Sequence, residues 1–340
     1  MMDQNIRLAI LLPCYNEGKA IAQVVVNFRK TLPDATIYVY DNNSSDDTAA
    51  QARLGGAKVV SCRRRGKGNV VRQMFADIDA DIYIMADGDG TYDHTAAPLL
   101  IDLLKSEGAD MVVGKRRYVE AEAERKGHTW GNRLFNKIYH EIFGDDFTDI
   151  FSGYRVFTRR YAKSFPAEST GFEIETEMSV HASQLRLPVA EMALDYGKRL
   201  EGSESKLSTV RDGIRILMTM FLLMKETQPM RFFGAIAMLL FTLSLAFMIP
   251  VLGEYFATGI VNRVPTWVLA MTLFLGGMMT VMTGTILDSV ARGRAEQKRI
   301  FYLSINAPEF SPIMEGVEVL GHRKTASDEA IDIVERRKLA

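Results

Sequence analysis

The chain has 340 residues, 47% of them apolar, and a formal net charge of -1. That length holds one large domain with attachments, the apolar share is ordinary for a globular protein, and the balanced charge leaves no global basic field for nucleic acid. Cys14 and Cys62 stand far apart without paired spacing and the five histidines are scattered, which excludes a zinc or disulfide framework and fits a reducing compartment.

In chain order, the first apolar run, residues 8–12 after Arg7, is too short for a signal-peptide core and lacks a cleavage pattern. It reads as a strand, and the first domain is expected to stay where it is made. Short apolar runs then alternate with amphipathic segments, the pattern of parallel strands joined by crossover helices. Strands are expected at residues 8–12, 36–40, 58–60, 81–86 and 111–114, and helices at 19–31, 47–54, 69–77 and 95–106. Right-handed crossovers gather the loops that follow the strands along one edge, where such sheets bind ligands.

Three polar motifs fall at that edge: Pro13-Cys14-Tyr15-Asn16-Glu17, Asp41-Asn42-Asn43-Ser44-Ser45-Asp46-Asp47, and Asp87-Gly88-Asp89. Two carboxylates beside a backbone turned by Gly88 and Gly90 offer hard oxygen ligands, suited to magnesium or manganese bridging a substrate's phosphates. A lone Asp-x-Asp is more often a solvated turn; its place after a strand, with two polar loops nearby, favours the metal. Asp41 is either a turn aspartate or an acceptor for a base or ribose, with Asp46 or Asp47 the better candidate for capping the next helix. Arg63-Arg64-Arg65-Gly66-Lys67-Gly68 precedes a helix, so Lys67 and nearby N–H groups are placed to meet phosphates. It is no P-loop, since the upstream glycine and the following Ser or Thr are missing, and the three arginines read as a solvated basic loop.

The C-terminal third carries two stretches without a charge, residues 232–253 and 264–287. As helices each is long enough for a bilayer core of about 30 Å; the competing reading is a buried hairpin in a soluble protein. Lys225 and Arg231 precede the first, Arg292, Arg294, Lys298 and Arg299 follow the second, and the loop between holds Glu254 and Arg263, so both termini are expected in the cytoplasm. Amphipathic stripes at residues 130–143 and from Val210 through Phe221 suit either core packing or the membrane surface. Residues 115–127 read as a charged loop, either solvated or closing over an acceptor. From Asn306 onward the sequence is uninformative.

Taken together, the motifs at Pro13 to Glu17, Asp41 with its Asn/Ser/Asp tail, Gly66-Lys67-Gly68 and Asp87-Gly88-Asp89 resemble glycosyltransferase family 2. The likeness continues through Asp149-Ile150-Phe151-Ser152-Gly153-Tyr154-Arg155, Gly171-Phe172-Glu173 to Glu177-Met178, and Arg199 to Lys206, covering roughly residues 6 to 230. The order most resembles the branch that transfers sugars to polyprenyl phosphate, similar to dolichyl-phosphate mannose synthases and bactoprenol glucosyltransferases. The resemblance implies a Rossmann-like GT-A catalytic domain, an inverting reaction, a nucleotide-sugar donor and a divalent metal. Carried over, it puts Pro13, Tyr15, Glu17, Asp41, Lys67 and Asp87 around the nucleotide and makes Asp87 and Asp89 the metal ligands. Asp89, Asp149 and Arg155 then belong to the catalytic centre, and Arg116, Arg117, Arg133, Arg199, Ser205 and Lys206 to the acceptor phosphate. Where that branch tends to show Gln and then prolines after the metal motif, this chain has Thr91-Tyr92-Asp93-His94.

The expected protein is therefore α/β: a GT-A catalytic domain with a mostly parallel sheet at 1–206, an amphipathic juxtamembrane helix at 207–231, a two-helix transmembrane hairpin at 232–290 and a cytoplasmic tail at 291–340. Its expected reaction is transfer of a hexose, from UDP-glucose or GDP-mannose type donors, to polyprenyl phosphate at the inner membrane. The alternatives are transfer to a sugar or lipid hydroxyl, or a non-catalytic nucleotide-sugar-binding scaffold. A processive synthase is disfavoured because no Gln-x-x-Arg-Trp motif and no further spans are present. The family's membrane-bound members suggest an oligomer.

Overall fold

A computed structural model describes residues 6–117, 126–197 and 209–307, the side chains of 126–134 and 209–212 excepted. The described chain forms two compact units, one of residues up to 216 with 301–307, the other of residues 217–300.

The first unit begins with β1 (Leu8–Cys14), α1 (Ile21–Thr31), β2 (Thr36–Asp41), α2 (Thr48–Leu54), β3 (Lys58–Ser61), α3 (Lys67–Asp77) and β4 (Ile82–Met85). Ile10, Leu11 and Leu12 in β1 and all four residues of β4 are fully buried, so these runs show no apolar–polar alternation: helices cover both faces of the sheet. α1 turns Ile21, Val24, Val25 and Phe28 to the core at helical spacing. Next come α4 (Ala97–Ser106), β5 (Met111–Arg117), α5 (Lys126–Phe143), β6 (Arg155–Thr158), α6 (Arg159–Ser164), α7 (Ile174–Leu185) and β7 (Val189–Asp195).

Seven strands form one sheet in the order β3-β2-β1-β4-β6-β5-β7. β1 pairs parallel with β2 and β4, and β5 parallel with β7. β6 runs antiparallel between β4 and β5. The fold is the mostly parallel α/β sheet that the alternation predicts, with β6 as the exception. Outward from β1, the order runs to β2 and β3 on one side and to β4 on the other. This reversal opens a crevice beyond the carboxyl ends of β1 and β4, where open α/β sheets take ligands.

The sequence reading finds the first five strands and first four helices and misses β6, β7, α6 and α7. β6 has four residues and opens on an arginine. β7 holds no fully buried residue, so neither carries a strong apolar run. In α5, Phe135, Ile138, Ile142 and Phe143 of the stripe predicted at 130–143 are half-buried, and Phe143 packs on the fully buried Tyr139, a residue outside that stripe.

α8 (Thr209–Thr227) begins in the first unit and ends in the second, which also holds α9 (Pro229–Thr258) and most of α10 (Val264–Leu303). The apolar stretches 232–253 and 264–287 lie within α9 and α10. Both helices are long and apolar enough to cross a membrane, with mean hydropathy 2.4 and 1.6 over their most apolar 18-residue windows. Only 17% and 11% of those windows are buried, whereas a soluble core hairpin would be mostly enclosed. Small residues let the two helices approach: Ser244 donates to the Ala270 carbonyl at 2.7 Å, and Gly277 lies under the Phe241 ring.

Candidate active site

The crevice is a cleft of ≈ 710 Å³ lined by Pro13, Cys14, Tyr15, Glu17, Asn42, Arg65, Gly66, Lys67, Asp87, Asp89, Phe151, Phe172, Glu175, Tyr196 and Arg215, among others. Its rim is laced together by the polar residues of the first two motifs. Asn16, in the left-handed region at φ 53, accepts from the Ser45 amide at 2.8 Å, and its own amide donates to Ser44 Oγ at 2.9 Å. The Glu17 amide donates to Thr48 Oγ1 at 2.8 Å and the Gly18 amide to Asp46 at 3.0 Å. Asn42 donates to the Arg64 carbonyl and accepts from the Gly66 amide, each at 2.7 Å. Most of the Asn/Ser/Asp tail is thus scaffold, fixing three loops so that Pro13, Tyr15 and Glu17 hold their places on the wall.

Asp41 is not among the lining residues; its carboxylate accepts from the Ser44 amide at 3.2 Å, and Asn42, one residue on, reaches the cleft instead. Asp46 accepts from the Thr48 amide at the start of α2, whereas the N-cap residue Asp47 makes no capping bond through its side chain.

Lys67 opens α3, and its position is fixed by Gly66 and Gly68. Gly66 has φ 116, open to glycine, and a Cβ on either residue would run into the carbonyls of Thr170 or Ser169. The loop carrying those carbonyls is held by Glu177, which accepts from the Glu168 and Ser169 amides at 2.8 and 2.7 Å. From this anchor Lys67 Nζ lies 2.5 Å from Asp87 Oδ1 and 2.5 Å from Glu175 Oε1, its side chain 9% exposed. Burial pushes the ammonium down, but the two carboxylates outweigh it and hold Lys67 above the ordinary lysine range. Burial likewise pushes the Glu175 carboxyl up, against the pull of Lys67.

Asp89 is buried, and its Oδ1 accepts from the Thr91 amide at 3.1 Å and from Thr91 Oγ1 at 2.6 Å. The departure at Thr91-Tyr92-Asp93-His94 thereby has a structural account. Thr91 orients Asp89, the Tyr92 hydroxyl accepts from the Gly153 amide at 2.9 Å, and Asp93 accepts from the Thr95 amide at 2.8 Å ahead of α4.

Of the other expected site residues, Asp149, Arg155, Arg116 and Arg117 are not among the residues lining the cleft. Asp149 is buried and paired with Arg116, whose Nε and Nη2 each lie 2.8 Å from its oxygens. Burial alone would raise this carboxyl; Arg116 and the amides of Arg116 and Phe151 outweigh it and hold Asp149 below the usual carboxylate range. Arg155 is fully buried, and its guanidinium donates to the Ser152 and Ile150 carbonyls, both at 2.8 Å, and to Ser179 Oγ at 3.1 Å. A guanidinium so committed to main-chain carbonyls shapes the loop that carries Phe151, and Arg155 is not among the residues lining the cleft. Arg117 is exposed and 3.8 Å from Asp195. Arg133, Arg199, Ser205 and Lys206 lie outside the residues whose side chains are described.

Sequence reasoning missed Glu175, Tyr196 and Arg215 and assigned Arg65 to a solvated loop. Only Glu175 left a signal, as the carboxylate two residues after Gly171-Phe172-Glu173. The Asp87/Asp89 pair fits a divalent ion by its donor chemistry. Both are hard oxygen ligands, and no third His, Cys, Asp or Glu joins them in a metal-holding cluster among the described residues, which leaves positions for phosphate oxygens and water.

Residues 9–165 match the model of glycosyl transferase family 2. The chain is 35% identical over 296 residues to glycosyltransferase AglJ of Haloferax volcanii, covering 86% of this chain and 97% of that one. It is 27% identical over 210 residues to a dolichyl-phosphate hexose transferase of the same organism, covering 62% and 90%. Among solved structures, glucosyl-3-phosphoglycerate synthase from Mycobacterium tuberculosis, in complex with Mn2+ and uridine-diphosphate-glucose, superimposes with a TM-score of 0.53 at 23% identity, covering 64% of this chain and 79% of that one. The sheet is thus of the GT-A type, and, on the family match and its similarity to AglJ over nearly the whole of that relative, the chain belongs to glycosyl transferase family 2.

Proposed function

We propose that this protein is a metal-dependent, membrane-bound glycosyltransferase that moves a hexose from a nucleotide sugar to polyprenyl phosphate with inversion. The observation that carries the reading is the Asp87/Asp89 pair in a cleft at the strand-order reversal, large enough for a nucleotide sugar. Asp87 and Asp89 would hold the ion, which, when bound, neutralises charge on the departing diphosphate. The Mn2+ and UDP-glucose bound by the Mycobacterium neighbour support this use of the fold.

In this reading Pro13, Tyr15, Glu17 and Asn42 receive the nucleotide, with the half-exposed rings of Tyr15 and Phe172 beside it. Arg65 and Arg215, both on the cleft, add to Arg116, Arg117, Arg133, Arg199, Ser205 and Lys206 as candidates for the acceptor phosphate. A phosphate oxygen attacks the anomeric carbon as the bond from that carbon to the diphosphate breaks. A phosphate monoester loses its second proton near about pH 6, so the nucleophile arrives ionised and needs no strong base. The pairing of Asp149 with Arg116 supports this, since a carboxylate held low by a guanidinium is a weak base.

The lipid acceptor is supported by α9 and α10, by the exposed Ile214, Met218 and Phe221 of α8, and by the likeness to the dolichyl-phosphate hexose transferase of Haloferax volcanii. The basic residues flanking the apolar stretches support a topology with both termini and the catalytic unit on the cytoplasmic side of the inner membrane. The test is transfer of labelled sugar from UDP-glucose or GDP-mannose into organic-extractable lipid by membranes holding wild type or Asp89→Ala, with a short polyprenyl phosphate added. Incorporation by wild type and its loss in Asp89→Ala are expected. Equal incorporation by both removes the metal assignment, and none by either favours a non-catalytic scaffold.

A further inference from the structure

Lys67 is held in the described structure by two carboxylates, one of which is half of the proposed metal pair. Its ammonium lies 2.5 Å from both Asp87 Oδ1 and Glu175 Oε1 and is almost shut from solvent. The pressed backbone at Gly66 and Gly68 gives α3 no room to carry it away. The far side of the ion pair is walled by Gly153, where a Cβ would stand 3.0 Å from Asp87 Oδ2 and 3.1 Å from Lys67 Nζ, so space beside the carboxylate exists only because residue 153 lacks a side chain.

We propose that Lys67 is a resident counter-cation for Asp87 that sets the order of binding: without nucleotide it keeps a divalent ion weakly held, and the arriving diphosphate relieves the repulsion by taking up the ammonium's charge. This rests on the reading of the cleft as a metal and nucleotide-sugar site. A dication on Asp87 sits within a carboxylate's width of a fixed ammonium, and like charges so close repel strongly in a poorly hydrated site. A diphosphate carries the negative charge that the cleft's own carboxylates have already committed to Lys67. Metal and nucleotide affinities are then coupled, and the coupling is reciprocal. Glu175 acts as a positioning residue, giving the ammonium a second partner so that it can leave Asp87 without losing all its charge compensation in a buried site.

The experiment titrates Mn2+ into the full-length chain in detergent and follows free Mn2+ by electron paramagnetic resonance, with and without UDP. In wild type, UDP is expected to tighten Mn2+ binding about tenfold or more. Lys67→Gln is expected to bind Mn2+ alone about tenfold more tightly than wild type and to lose most of the UDP effect. Glu175→Gln, which leaves Lys67 to Asp87 alone, is expected to bind Mn2+ alone about fivefold more weakly. The proposal is overturned if folded Lys67→Gln binds Mn2+ as wild type does, or if it keeps the full UDP effect. Should that variant fail to fold, unchanged or tighter Mn2+ binding by Glu175→Gln overturns it. No Mn2+ binding by wild type even with UDP removes the metal–nucleotide reading as well; normal binding with an unaltered Lys67→Gln removes only the role of Lys67.

Discussion

Arg155→Met separates a scaffold role from a chemical one. Methionine is similar in length and apolar, so it leaves little cavity, but it leaves the Ser152 and Ile150 carbonyls, each now 2.8 Å from a guanidinium nitrogen, without that donor in a fully buried site. An unmet buried acceptor costs about 1–3 kcal/mol, so the two together cost about 2–6 kcal/mol. Removing a buried charge refunds part of that, and a net loss of about 3 kcal/mol is expected. For a unit of this size that corresponds to a melting temperature lower by about 6–12 °C. Because both carbonyls flank Phe151 on the cleft wall, KM for the donor should rise along with the instability. Arg155→Lys keeps a cationic donor for one carbonyl and should fall between wild type and Met. The assay is thermal unfolding of the detergent-solubilised chain followed by circular dichroism, run beside steady-state transfer kinetics. A Met variant that melts within about 1 °C of wild type while kcat collapses would refute the scaffold account and return Arg155 to the chemistry.

Two further substitutions, with a third as control, probe the acceptor and the packing beneath Lys67. Asp149→Asn should slow transfer less than about tenfold, because a general base would be worth about 10²–10⁴-fold; near-total loss in a protein with normal circular dichroism points to a hydroxyl acceptor instead. Asp149 is held below its usual range, so its contribution to stability is complete above the unfolded carboxyl value of about 3.9 and is lost as pH falls through its lower folded value. The pH profile of kcat/KM should accordingly show no Asp149 inflection between about pH 5 and 8, and one that Asp149→Asn abolishes would contradict the pairing with Arg116. Gly68→Ala drives a Cβ into the Ser169 carbonyl and within 2.7 Å of its carbon, and should cost about 1–3 kcal/mol and weaken nucleotide binding. Gly293→Ala, with nothing within 4 Å, is the control and should leave the melting temperature unchanged or higher; equal destabilisation by both would show that steric contact is not the cause.

How much of the protein is legible in its sequence follows from how local each feature is. β1, β2 and β4 and their polar ends can be read because each is one apolar run and one loop, and the crossover rule alone gathers the three loops at one edge. β6 cannot be read that way. Its burial depends on Arg155 finding carbonyls three and five residues back, and its antiparallel direction on pairing with β4 and β5. Asp41 and Asn42 differ for the same kind of reason: successive side chains at a strand's end point to opposite sides, and pairing with β1 and β3 sets which of them lines the cleft, here Asn42. Charge is the least legible property. Arg116 and Asp149 look like two separate functional groups in the sequence and are a pair in the fold, while Lys67 has partners at positions 87 and 175 that no spacing rule connects. A motif therefore reports which groups reach a sheet edge, and only the folded pairing decides which of their charges remain for a substrate. At this edge the pairing joins Lys67 to Asp87 and Glu175, while Thr91 braces Asp89.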